Sequence, residues 1–126
     1  MKYPSITKKI LAEGVGSINP QSLPEHLRKE VFSEATVALF KENRYLESSN
    51  ALGIAKNTEL AIELTEYLVK SALFQVASLF VQHTENFDKV ENLAYVCLES
   101  EYYQEATSLF KFLGKDEMLQ FIRANQ

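Results

Sequence analysis

The segment between residues 87 and 114 places the strongest constraint on the fold of this chain. Its apolar residues recur at three- and four-residue steps, the spacing of one helix face, and the pattern breaks near Ser100. Gly114 follows the second run, at the position where glycine commonly ends a helix. The sequence therefore predicts two short antiparallel helices that share one apolar seam. Such a hairpin cannot bury its seam alone, so it normally belongs to a stack of similar hairpins.

The positions of the prolines allow helices along most of the chain. Pro4, Pro20 and Pro24 all lie within the first 24 residues, and no proline follows them. The apolar periodicity predicts a short helix or ordered arm over 5–12, then a loop and seven helices. The seven predicted ranges are 23–42, 45–56, 58–69, 72–84, 87–100, 101–113 and 115–124. The fourth of these is apolar on almost every side, which predicts burial between neighbours. No alternating apolar pattern competes, so the predicted fold class is all-α.

Polar residues mark the starts of several predicted helices. Ser22, Pro24 and Glu25 have the spacing of a capping box at the first long helix. Asparagine and serine side chains accept hydrogen bonds from the free N–H groups of a helix start. The residues predicted to cap later helices in this way are Asn57, Ser71, Asn86 and Ser100. Hairpin starts near 58, 87 and 115 then recur at a regular interval of about 28–29 residues, which is typical of helical solenoids.

The composition is that of an ordinary globular domain, with 46% hydrophobic and 24% charged residues in a chain of 126. A chain of this length can bury a core without help from a metal or a disulfide. No apolar run approaches the roughly 18 residues of a membrane span. The N-terminal segment carries charge where a secretory signal needs an apolar core. We therefore expect a cytoplasmic protein with no membrane partner.

The charge pattern argues against nucleic acid as a partner. The net charge is -4, with a balance of +2 over residues 1–30 and -6 over the rest. Nucleic-acid affinity depends largely on clustered lysines and arginines. The alternative is a basic surface in the N-terminal part, formed by Lys2, Lys8, Lys9, Arg28 and Lys29. These are few charges on an acidic body, so we expect no nucleic-acid binding.

No residue pattern predicts a catalytic centre, a cofactor site or a metal site. Cys97 is the only cysteine and lies on an apolar helix face, so we expect a buried thiol. A cysteine nucleophile needs a nearby base, and neither His26 nor His83 has a spacing that supplies one. The alternative is a small helical enzyme or ligand-binding protein with a pocket between helices. Its most suggestive residues are Glu63, Glu66, His83 and Glu85.

The hairpin over 87–114 resembles a tetratricopeptide (TPR) repeat. The residues that stand where this family places its large and small packing residues are Val90, Leu93, Ala94, Cys97, Ala106, Phe110 and Leu113. The spacing of the helix pairs is shorter than the roughly 34 residues usual in the family, as in other α-solenoids, and the family's Trp, Gly and terminal Pro are missing. The resemblance implies a short right-handed superhelix of antiparallel helix pairs over 23–126, preceded by an arm over 1–22.

The resemblance also implies a non-enzymatic scaffold, because TPR proteins bind peptides or helices on the concave face formed by the first helix of each pair. Carried over to this chain, that face is acidic with apolar anchors, so the implied partner is a basic or amphipathic peptide or helix. The implied partner-binding residues are Phe40, Asn43, Glu59, Ile62, Glu66, Asp88, Glu91, Tyr95 and Glu99. The alternative is that these carboxylates form an ordinary solvated face, with Phe40 and Tyr95 in the core.

The predicted last helix has an apolar face formed by Met118, Leu119, Phe121 and Ile122. That face must either fold back on the preceding helix or meet a second copy of the chain, in a homodimer joined through residues 115–126. The sequence favours folding back.

Overall fold

The computed structural model of the chain describes residues 2–125, and within that range every regular element is helical. The α-helices are Pro4–Glu13 (α1), Glu25–Lys41 (α2), Tyr45–Ala55 (α3), Thr58–Lys70 (α4), Phe74–Phe80 (α5), Phe87–Glu99 (α6), Tyr103–Leu113 (α7) and Asp116–Asn125 (α8). Short 3₁₀ helices cover Val15–Ser17, Pro20–Ser22 and Val81–Thr84. The all-α prediction is confirmed for the described residues, and the arm predicted over 5–12 is the helix α1. The superhelical arrangement of helix pairs stays a prediction.

The chain divides into two compact units, Met1–Leu60 and Ala61–Gln126. The first turn of α4 belongs to the first unit and the rest of that helix to the second. The division predicted after residue 22 stays a prediction.

The first unit is built on the hairpin of α2 and α3, against which α1 packs. Its fully buried residues come from all three helices, and the apolar residues of the segment after α1 pack around them. The buried cluster consists of Ile10, Val31, Phe32, Ala35, Leu39, Ala51 and Ala55. The burial of these side chains supplies the main driving force for this unit.

Arg44 ties α1 to the turn between α2 and α3. Its guanidinium donates to the Leu11 carbonyl at 2.7 Å and to the Glu47 carboxylate at 2.7 and 3.0 Å, with Glu42 at 3.2 Å. The hydrogen bond from Arg44 lowers the pKa of Glu47 below its ordinary value. The planar guanidinium therefore joins two carboxylates and a helix-end carbonyl in one place.

The second unit is built on the hairpin of α6 and α7, with α5 packed against α6 and α8 packed against α7. Its largest fully buried side chains are those of Leu68, Phe80, Val81, Val90, Leu109, Phe110 and Ile122. The prediction that the last helix folds back on the preceding one is confirmed, because Ile122 is buried there. Phe121 on the same helix remains exposed. The homodimer through residues 115–126 stays a prediction.

The local backbone repeats along the chain at a constant interval. Helices α4, α6 and α8 begin at Thr58, Phe87 and Asp116, so helices start at the predicted positions 58 and 87 and one position after the predicted 115. Helices α3, α5 and α7 begin at residues 45, 74 and 103. Left-handed backbone recurs with the same spacing at residues 43, 72 and 101, and again at 56, 85 and 114. The same two left-handed positions therefore recur before and after each of α3, α5 and α7, with the 3₁₀ helix Val81–Thr84 between α5 and the second position.

The turns at residues 71–73 and 100–102 explain two incorrect predictions. Ser71 and Ser100, predicted as N-caps of the following helices, are the first residues of three-residue turns. The N–H of Ser100 donates to Val96 of the preceding helix, and the next helices begin only at Phe74 and Tyr103. Their N-terminal caps are Leu73 and Tyr102, which make no side-chain cap. Each serine therefore lies too early in the chain to reach the free N–H groups of the helix that it is predicted to cap.

Two further predictions about helix boundaries are wrong. Ser22 does not cap α2, because its hydroxyl donates to the Asn19 carbonyl at 2.6 Å and Pro24 is extended at the helix start. The single helix predicted over 72–84 is instead α5 followed by a 3₁₀ turn. That segment is not buried all round, since Leu73 is 42% exposed.

The caps at Asn57 and Asn86 are confirmed, with their side-chain oxygens accepting from the N–H groups of Leu60 and Lys89.

Candidate functional site

The predicted partner-binding residues of the first unit are Phe40, Asn43 and Glu59. Phe40 is half-buried and packs edge-on against Tyr45, with 5.3 Å between ring centroids. Asn43 is exposed in the left-handed turn and accepts a hydrogen bond from the Tyr45 hydroxyl at 2.9 Å. Glu59 is exposed in the first turn of α4. Phe40 and Asn43 therefore share one aromatic neighbour.

The predicted residues of the second unit lie on α4 and α6. Ile62 is half-buried, and Asp88 and Glu99 are exposed. Tyr95 is 40% exposed and packs edge-on against Phe110, with 5.1 Å between ring centroids. It therefore belongs only in part to the core.

Lysines pair with two of the predicted acidic residues. Lys89 contacts Glu66 at 3.3 Å and Lys115 contacts Glu91 at 2.9 Å, both in solvent-accessible pairs. The hydrogen bond to Glu91 raises the pKa of Lys115 above its ordinary value. These pairs reduce the negative charge that the sequence predicts for this face. Within residues 2–125, Glu59, Asp88 and Glu99 make no ion pair.

An open groove of about 780 Å³ lies along α2 in the first unit, and we call it the α2 groove. Its apolar lining comes from Val37, Ala38 and Leu60, and its charged residues include three glutamates and two lysines. The full lining is Lys2, Glu30, Ser33, Glu34, Val37, Ala38, Lys41, Glu42, Asn57 and Leu60. Apolar surface bordered by charge is the usual character of a site for a peptide or helix.

Two glutamates of the α2 groove are held by the start of α1. Glu30 accepts from the Tyr3 hydroxyl at 2.6 Å and from Lys2 at 3.4 Å. The hydrogen bond from Tyr3 lowers the pKa of Glu30, and the same bond raises the pKa of the Tyr3 hydroxyl. Glu34 accepts from the Tyr3 N–H at 3.1 Å and from the Thr7 hydroxyl at 3.4 Å. Both carboxylates are therefore held by hydrogen bonds from Lys2, Tyr3 and Thr7.

Sequence reasoning missed Glu30 and Glu34 as site residues. They are spaced i, i+4 on α2, a pattern that places them on one helix face. Their partners, however, lie at the start of the chain, and the sequence pattern does not reveal that contact.

A second, smaller groove of about 250 Å³ lies between α4 and α6 in the second unit, and we call it the α4–α6 groove. Valine and leucine side chains form its apolar part, and two lysines, a glutamate and an asparagine contribute to its polar part. The full lining is Thr65, Glu66, Val69, Lys70, Val81, Lys89, Asn92, Leu93 and Val96. Glu66 is the one predicted partner-binding residue among them. The local charge is positive, because Lys70 and Lys89 outnumber Glu66.

Thr65 in the α4–α6 groove has an unsatisfied hydroxyl. The side chain is 4% exposed, and its Oγ1 has no hydrogen-bond partner. Thr36 occupies the equivalent position of the repeat on α2 and is also buried, but its hydroxyl donates to the Phe32 carbonyl at 2.7 Å. A buried polar group without a hydrogen-bond partner lowers the stability of the folded state, and nearly all buried polar groups in proteins have a partner. Thr65 is an exception.

The residues proposed for an enzymatic alternative do not show a metal-binding arrangement. Within residues 2–125, no three His, Cys, Asp or Glu residues lie close enough together to hold a metal ion. Burial lowers the pKa of His83 below its ordinary value, which favours the neutral imidazole. Glu63 and Glu85 are exposed, whereas Glu66 lines the α4–α6 groove.

None of the helices within the described residues is long and apolar enough to cross a membrane.

Cys97 is fully buried, as predicted, and its thiol lies 4.0 Å from the Phe74 carbonyl oxygen. Burial, with a contribution from Glu105, raises the pKa of the Cys97 thiol to about 11. We expect a thiol reagent at pH 8 to modify the native protein at least about a hundredfold more slowly than the protein in denaturing urea, because the thiolate is the reactive form. Colorimetric labelling measures both rates. Rapid labelling of the native protein would show that the thiol is accessible.

Comparison of the chain with models of protein families, with curated protein sequences and with solved structures finds no match. The resemblance to TPR repeats therefore stays a prediction based on the residues themselves.

Proposed function

We propose that this chain is a non-enzymatic protein-interaction module of the TPR-like or a related α-solenoid type, which binds a basic, amphipathic peptide or helix. The observation that carries the proposal is the α2 groove. Its apolar lining can accept the apolar side chains of a partner, and its carboxylates can attract the partner's basic residues.

The arrangement of charge in the α2 groove supports a basic partner. Three carboxylates line the groove against two lysines; Lys2 pairs with Glu30 and Arg44 pairs with Glu42. Glu30 and Glu34 are held in place by the start of the chain, so binding does not need to order them. Exposed Glu59 adds negative charge beside Leu60. Electrostatic attraction of this kind speeds encounter and selects partners more than it raises affinity.

The test is a binding measurement with two amphipathic helical peptides that share their leucines and differ in their charged residues, lysine in one and glutamate in the other. We expect the lysine peptide to bind at least about tenfold more tightly in fluorescence anisotropy at physiological salt, a difference of about 1.4 kcal/mol. Affinity for the lysine peptide should fall as salt increases, because the exposed charges are screened.

The variant Val37→Lys tests whether the peptide binds in the α2 groove, and Glu25→Gln is its matched control. Both raise the net charge by one and both lie on α2, but Glu25 is exposed in the first turn and does not line the groove. We expect Val37→Lys to weaken binding of the lysine peptide at least about tenfold and Glu25→Gln to change it less than about threefold. Equal affinity for the two peptides, or equal effects of the two variants, would reject the proposal.

A further inference from the structure

We propose that the α4–α6 groove is a second docking site, which takes a partner segment where an aliphatic side chain lies next to an acidic residue. The site is separate from the α2 groove, and its preferred charge is opposite. The inference goes beyond the proposed function, because that function names only a basic partner.

The size of the α4–α6 groove favours a peptide side chain over a free small molecule. Its volume is about 250 Å³, below the roughly 300–1,000 Å³ of typical small-molecule pockets. The apolar lining consists of Val69, Val81, Leu93 and Val96, from two helices and the 3₁₀ turn. One leucine or isoleucine side chain can lie against this surface, with the rest of the segment running over it.

The charges at the groove favour an acidic residue beside that side chain. Lys89 is already paired with Glu66 at 3.3 Å. Lys70 is exposed in the last turn of α4 and makes no ion pair within the described residues. A carboxylate on the partner would therefore find an available ammonium at Lys70. A basic residue at the same place would be repelled.

The unsatisfied hydroxyl of Thr65 is an independent indication of a ligand. It lines the same groove, is almost fully buried, and has a donor that no described protein atom accepts. The Oγ1 atom has almost no accessible surface, so rotation of the Thr65 side chain toward the groove would let a carbonyl oxygen of the docked segment accept this hydrogen bond. A buried polar group that is unsatisfied in a native structure calls for an explanation, and a bound partner supplies one here.

The test uses a peptide with leucine between two aspartates and a matched peptide with lysines in place of the aspartates, both measured by fluorescence anisotropy. We expect the aspartate peptide to bind at least about tenfold more tightly. Lys70→Glu should weaken its binding at least about tenfold and improve binding of the lysine peptide. Lys111→Glu, an equal change at an exposed position of α7 outside the groove, should change both affinities less than about threefold.

Val37→Lys separates this proposal from the proposed function. It lies in the α2 groove, so it should leave binding of the aspartate peptide unchanged even where it weakens binding of a basic amphipathic peptide. Thr65→Val, which keeps the shape and removes the hydroxyl, should weaken binding of the aspartate peptide about threefold to tenfold. Failure of the aspartate peptide to bind, or equal effects of Lys70→Glu and Lys111→Glu, would overturn this inference without bearing on the α2 groove.

Discussion

Replacing Phe110 by alanine is expected to lower the free energy of unfolding by about 3–5 kcal/mol. Phe110 on α7 is fully buried and packs edge-on against Tyr95 of α6. Its removal deletes a large apolar side chain and leaves a cavity between the two helices of the hairpin. Because a domain of ordinary stability has about 5–15 kcal/mol in total, the variant should lose a large fraction of the wild-type stability and unfold at a clearly lower urea concentration.

The measurement is urea denaturation followed by circular dichroism in the far ultraviolet, with Phe112→Ala as the control. Phe112 lies on the same helix but is 44% exposed, and its ring contacts Phe87 at 6.0 Å between centroids. The control should cost clearly less than Phe110→Ala, because Phe112 is already partly in solvent and loses only this partial burial and one aromatic pair, worth about 0.5–1.5 kcal/mol beyond the burial. Similar losses for the two variants would mean that α7 does not bury Phe110 as described.

The sequence predicts the helices better than it predicts their caps. Apolar periodicity is local and regular, so the ranges of α2, α3, α4, α6 and α7 lie close to those predicted. Asn57 and Asn86 act as predicted, because each lies directly before a helix. Ser71 and Ser100 do not, because each is the first residue of a three-residue turn whose middle residue is left-handed, and the next helix begins only after that turn. The left-handed residues in those turns are alanine and glutamate, which give no turn signal.

The candidate sites are less accessible to sequence reasoning than the helices. Glu66 and Glu91 are predicted as parts of an acidic face, but each pairs with a lysine well beyond its own helix. Glu30 and Glu34 become parts of a groove through contacts with Tyr3. All these contacts join residues far apart in sequence, so they depend on how helices pack. A single sequence shows which face of a helix is polar, but not which partner that face meets.

The clearest test of whether the Thr65 hydroxyl in the α4–α6 groove is unsatisfied is a comparison of Thr65→Val with Thr36→Val. Both threonines are buried, both lie at the same position of the backbone repeat, and valine has nearly the same shape and a similar helix propensity. Thr65 has no hydrogen-bond partner, whereas Thr36 donates to the Phe32 carbonyl. We expect Thr65→Val to raise the free energy of unfolding by about 1–3 kcal/mol and Thr36→Val to lower it by about 0.5–1.5 kcal/mol.

The two signs are opposite because removing an unsatisfied buried hydroxyl removes an unfavourable free energy of desolvation, whereas removing a hydrogen-bonded hydroxyl removes a favourable interaction. Urea denaturation of the two variants and the wild-type protein provides the measurement. A loss of stability in Thr65→Val would show that its hydroxyl is satisfied in solution. If Thr65→Val has a higher free energy of unfolding, as expected, and also binds the aspartate peptide more weakly, then the hydroxyl lowers the stability of the protein but contributes to binding. Stability and function conflict in the same way at other binding sites.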